Sequence, residues 1–130
     1  MRRSSKGRAG HEPANPALVA AFGSACSSAD HGRLADLLSD DVRVVVDSGG
    51  ELGGTASAAR GPADAARAIG TALGAPLELA LHSINGSTGL VGRRNGDVVA
   101  VILLDGHDGR VDTVWIVLAA DKLAHWNRSG

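Results

Sequence analysis

Three dipeptides in the second half of the chain, Asn85-Gly86, Asn95-Gly96 and Asp108-Gly109, constrain the fold more than anything else in the sequence. Each pairs a residue that tolerates positive φ with one that has no Cβ. This is the chemistry of a two-residue hairpin turn. The segments between them have a period of two. Leu77, Leu79 and Leu81 alternate with Glu78, Ala80 and His82, and the runs STGLVGRR, DVVAVILL and RVDTVWIVL follow. The pattern predicts a four-stranded antiparallel meander. DVVAVILL is apolar at both parities, so it is expected to be a central strand covered on both faces.

The first half has helical spacing instead. Asn15-Pro16 is a start signal, with Asn as cap and Pro in the first turn. Leu18, Ala21, Phe22, Ala25 and Cys26 then fall on one face. Asp30 is expected to cap a second short helix carrying Leu34, Leu37 and Leu38, ended by Asp40-Asp41. Val42, Val44 and Val46 begin a strand that runs into the acidic, Gly-rich loop VVVDSGGELGG, residues 44–54. TASAAR, residues 55–60, reads as a short returning strand. Gly61-Pro62 opens a third helix with Ala65, Ile69 and Leu73 inward, closed by Gly74 and Pro76. A last short helix is expected over DKLAHW, residues 121–126.

A chain of 130 residues suits one domain with a hydrophobic core. Phe22, Trp115 and Trp126 are its only aromatics, so the core must be built from Val, Leu, Ile and Ala. The Ala, Gly, Arg and Val bias points to a GC-rich bacterial genome. Charge is uneven: Arg2, Arg3, Lys6 and Arg8 lie in the first ten residues, and the remainder holds nine basic against fourteen acidic residues. Residues 1–13 are read as a disordered basic tail or linker, and 14–130 as the folded domain. An acidic body argues against direct binding to nucleic acid. Cys26 is the single cysteine, which excludes an internal disulfide and suits a reducing compartment. No apolar run approaches a membrane span. The short stretch ALVAAFGSAC lies on a helical stripe and has Gly23 three residues before the cysteine, which does not suit an export signal. A cytoplasmic location without membrane association is expected.

Helices followed by a curved, mainly antiparallel sheet make an α+β fold. The order of elements resembles the cone-shaped nuclear transport factor 2-like, or SnoaL-like, fold, with three N-terminal helices on the sheet. Two motifs sharpen the resemblance. VVVDSGGE resembles the Asp-Gly-Gly-Gly-Lys loop in the SnoaL-like C-terminal extension of SigJ-like extracytoplasmic-function (ECF) sigma factors. AADKLAHW, residues 119–126, resembles that group's Asn-Pro-Asp-Lys-Leu motif. INGSTGLV and GPADAARAI are similar to its third-strand turn and third helix. The similarity covers Pro16 to Trp126, without the DNA-binding sigma regions 2 and 4. Ser48 and Glu51 replace a glycine and the lysine of the loop, and Ala119-Ala120 stand in place of Asn-Pro. The resemblance implies a regulatory domain that modulates transcription initiation through contacts with sigma core regions or RNA polymerase. It implies no promoter binding by the domain itself. Asp47, Gly49, Gly50 and Glu51 in the loop, with Asp121, Lys122 and Leu123, are the expected partner-binding residues.

The loop has no lysine and no helix directly after it, so it is not a phosphate cradle. A plain strand-to-strand connection is its structural reading. Asp47 is the best catalytic candidate, because the resemblance extends to SnoaL-like cyclases and ketosteroid isomerases, which use an Asp base in an apolar cone. His82 and Trp115 are expected to line that cone with it; no second acid is clearly inward, and the strand position of Asp112 suits a partner acid and a solvent face equally. A small-molecule binder or isomerase/cyclase enzyme using the cone interior, with a small apolar ligand, is therefore the alternative reading. Homodimerisation through the open sheet is a third. His11, His31, His82, His107 and His125 have no metal-ligand spacing, so no metal and no cofactor are expected. Cys26 on a buried helix face is expected to be an inert thiol. Trp126 is expected to lie as a lid over the core.

Overall fold

A computed structural model describes residues 12–48, 55–74, 77–84, 86–118 and 123–124. Helix α1 spans Pro16–Ser27, α2 His31–Asp36 and α3 Pro62–Leu73. The strands are β1 Glu12–Pro13, β2 Leu38–Asp47, β3 Thr55–Arg60, β4 Glu78–Ile84, β5 Ser87–Arg94, β6 Asp97–His107 and β7 Arg110–Val117. They form one sheet in the order β3-β2-β7-β6-β5-β4, and β1 pairs with β6 at Gly106 and Asp105. The residues that close the expected basic tail, Glu12 and Pro13, are thus part of the sheet.

The expected meander is present. β4 to β7 are antiparallel neighbours, and β6 lies between β5 and β7. Asn95-Gly96 and Asp108-Gly109 have φ of 56° and 88°, and of 54° and 77°. Both central residues are left-handed, the conformation that matches strand twist. β2 joins this meander by parallel pairing with β7, while β3 pairs antiparallel with β2.

The helices are set by their ends. The Asn15 side chain accepts a hydrogen bond from the Leu18 N–H at 2.9 Å, and Asp30 accepts one from Arg33 N–H at 3.1 Å. At the C-terminus of α3, Arg94 Nη2 donates to the Leu73 carbonyl at 2.8 Å, a cation where the helix dipole is negative.

The second helix is shorter than the sequence suggested. Leu38 belongs to β2, and Asp40-Asp41 lie within that strand rather than at a helix end. Tertiary pairing is the reason. The Val111 N–H donates to the Leu37 carbonyl at 2.8 Å, and Leu38 pairs with Val111. Between Leu38 and Arg43 the register on β2 outruns that on β7, so the polar residues 39–41 bulge outward. Ser39 Oγ donates to Asp41 Oδ1 there at 3.0 Å.

The sheet has two apolar faces. One packs against the helices: Leu18, Val19, Phe22, Leu34, Ile69 and Leu73 meet Val44, Leu90, Ile102, Leu104, Val114 and Ile116. Phe22 is fully buried in this layer. The opposite face carries a smaller cluster of Ile84, Val91, Val98, Val101 and Leu123, with Leu103 and Val117 against it. That second layer explains why DVVAVILL is apolar at both parities.

Candidate functional site

Strand register decides which candidates meet. Val46, Ile116, Ile102, Leu90 and Leu81 form one row across five strands. Val46, Leu90, Ile102 and Ile116 of that row belong to the helix-side core. The next row is Asp47, Val117, Val101, Val91 and Ala80. Side chains alternate between faces, so Asp47 lies on the face away from the helices. It is 4% exposed there. Val45 and Trp115 are cross-strand partners on the same face, and Trp115 is 38% exposed.

This corrects the expected cone lining. His82 is adjacent to Leu81 of the helix-side row, so it also belongs to the far face, opposite Gly89. Asp47 and His82 are separated by four strand spacings, on the order of 19 Å. They cannot share one substrate atom. Asp112 lies five residues before Val117, the partner of Asp47, so on the order of 17 Å separates the two acids along the sheet. Hence neither His82 nor Asp112 completes an acid–base pair with Asp47.

The far face does bring two sequence motifs together. Asp47 is the last residue of β2 before the Gly-rich loop, and its carbonyl accepts the Leu118 N–H at 2.8 Å. Val117 beside it packs against the cluster that contains Leu123 of the Asp-Lys-Leu motif. Leu123 is 4% exposed, so it is a docked side chain. Gly49, Gly50, Glu51, Asp121, Lys122 and Trp126 lie outside the described residues. A shallow groove of about 200 Å³ on this side is lined by Pro13, Ile84, Leu103, Thr113 and Trp115 among others.

A cavity of about 350 Å³ lies on the other side of the sheet, where the C-terminus of α1, the helices α2 and α3, and the start of β4 converge. Leu34, Ile69, Leu73 and Leu79 form its apolar part. Ser27, His31, Arg67 and Thr71 supply the polar groups. His31 leans over α3 at Gly70, where an added Cβ would stand 3.5 Å from its Nε2. Cys26 also lines the cavity, and burial pushes its thiol up to about 12. The sequence reading did not single out this set, except for Cys26 as an inert thiol. Its members come from four elements, and no local spacing connects them. Among the described residues no cluster of His, Cys, Asp and Glu is arranged to hold a metal ion, and no helix is long and apolar enough to cross a membrane.

No protein-family model matches the chain, and neither does any curated protein. Solved structures do. The extracytoplasmic function sigma factor SigJ of Mycobacterium tuberculosis superposes with a TM-score of 0.59 at 24% identity, over 85% of this chain and 44% of the sigma factor. An NTF-2 like protein of unknown function from Burkholderia xenovorans LB400 matches with a TM-score of 0.57 at 17% identity, over 79% of this chain and 80% of its own. An LEH-like epoxide hydrolase of M. tuberculosis gives 0.53 at 18% identity, over 88% and 89% of the two chains. Element order, sheet topology and these superpositions agree that the chain is a domain of the nuclear transport factor 2-like fold.

Proposed function

We propose that this domain is a regulatory, non-catalytic module that modulates transcription initiation by protein contact, with sigma core regions or RNA polymerase as partner. The observation that carries the reading is that Asp47 and Leu123, a described residue from each motif, lie on one face. Asp47, which precedes the Gly-rich loop, pairs with Val117, and Val117 packs against the apolar cluster that contains Leu123, away from the helices. The structural likeness to a sigma factor supports this assignment. The cytoplasm is the compartment this reading requires.

The test is equilibrium binding of the purified chain to RNA polymerase and to an isolated ECF sigma core. The double variant Gly49→Val/Gly50→Val removes the conformational freedom of both glycines. It should weaken binding at least tenfold while leaving the unfolding midpoint in place. Unchanged affinity sinks the docking reading. Homodimerisation through the exposed Trp115 side of the sheet is a competing use of the same face, and sedimentation of the chain alone distinguishes it.

The cavity between the helices and β4 favours a second reading, a small-molecule binder or an isomerase/cyclase-like enzyme. No carboxylate is among the described residues lining that cavity, so binding is better supported than proton abstraction by Asp47.

A further inference from the structure

We infer that the helix-side cavity binds a small aliphatic carboxylic acid. The inference is independent of the docking face, since the cavity and Asp47 are on opposite sides of the sheet. Its volume of about 350 Å³ lies at the small end of the ligand-pocket range and suits a compact molecule on the order of ten heavy atoms. Leu34, Ile69, Leu73 and Leu79 present aliphatic carbon, and among the described residues no Phe, Tyr or Trp lines the space. A saturated hydrocarbon body therefore fits better than a planar ring that needs a stacking partner.

The polar groups select the head of the ligand. Among the described residues lining the cavity, Arg67 is the only permanently charged one, and His31, Thr71 and Ser27 add hydrogen-bonding groups. Among the described residues no Asp or Glu lines it, and Asp64, the acid that Arg67 contacts, is not one of its lining residues, so the charge the cavity itself presents is positive. Arg67 Nη2 contacts Asp64 Oδ1 at 3.2 Å, but both side chains are more than two-thirds exposed. Such a pair contributes little, so the guanidinium is available to exchange that partner for a ligand carboxylate. A single guanidinium suits a carboxylate better than a polyanionic phosphate.

The experiment is an NMR titration of the whole chain with octanoate, octan-1-ol and octylamine. Octanoate should give saturable shifts at the methyls of Leu34, Ile69, Leu73 and Leu79, and should bind more tightly than either comparator. Arg67→Gln, at an exposed position that does not endanger folding, should weaken octanoate about tenfold and leave octan-1-ol unchanged. Absence of saturable shifts at these methyls overturns the inference. So does octylamine or octan-1-ol binding as tightly as octanoate, or an Arg67→Gln variant that binds octanoate as well as the original chain.

Discussion

Cys26 offers a direct probe of the helix-side interior, because it is the only cysteine and lies at the cavity wall. Burial raises its pKa from 9.0 to about 12. The thiolate is the reactive species, so at about pH 8 the native chain should hold about a thousandfold less of it than the unfolded chain. The assay is alkylation by iodoacetamide followed by mass spectrometry, on native and urea-unfolded protein. The native rate should be lower by two to three orders of magnitude, on the order set by the thiolate fraction. The same shift predicts a pH dependence of stability. The folded state holds its thiol proton between about pH 9 and 12 while the unfolded state has released it, so stability falls as pH rises through that window. The slope is about 1.4 kcal/mol per pH unit, and the total of about 4 kcal/mol is a large share of the stability of a small domain. Cys26→Ala should flatten this alkaline limb. A native alkylation rate within tenfold of the unfolded rate at about pH 8, or an alkaline limb unchanged in Cys26→Ala, would refute the desolvation argument.

Three further outcomes follow from packing and capping. Gly89→Ala should destabilise by about 1–3 kcal/mol in urea unfolding, because the added Cβ would stand 2.6 Å from Ile84 Cδ1 and 2.9 Å from the Ile102 carbonyl oxygen. Phe22→Ala, at the fully buried centre of the helix-side core, should cost about 3–5 kcal/mol by the same measurement. Asn15→Ala removes the acceptor for the Leu18 N–H and should cost about 1 kcal/mol, seen as a lower thermal midpoint with an unchanged far-ultraviolet spectrum.

The candidate residues show where a one-dimensional reading succeeds. Alternation along Val42, Val44, Val46 and Asp47 already separates Asp47 from the valines. Which of the two faces the helices cover is a tertiary matter, and the strand register puts Asp47 on the face away from them. Burial at 4% is real, but it arises on the far side, in the layer that also contains Leu123. The same holds for His82 and Trp115. Their parity could be read from the pattern, whereas their distance from Asp47 depends on the strand order β2-β7-β6-β5-β4.

What the amino-acid sequence determined alone is local. The hairpin turns follow from positive-φ residues at Asn95-Gly96 and Asp108-Gly109, and the starts of α1 and α3 from Pro16 and Pro62. The two-sided apolar character of β6 follows from its composition. These features depend on interactions between residues a few positions apart, which spacing records. The tertiary structure alone decided that Leu38 leaves the helix to pair with Val111, and that β2 runs parallel to β7. It also decided that residues as far apart as Ser27, His31, Arg67 and Leu79 enclose one cavity. Such contacts depend on which distant surfaces bury each other most completely, and no short-range pattern carries that information.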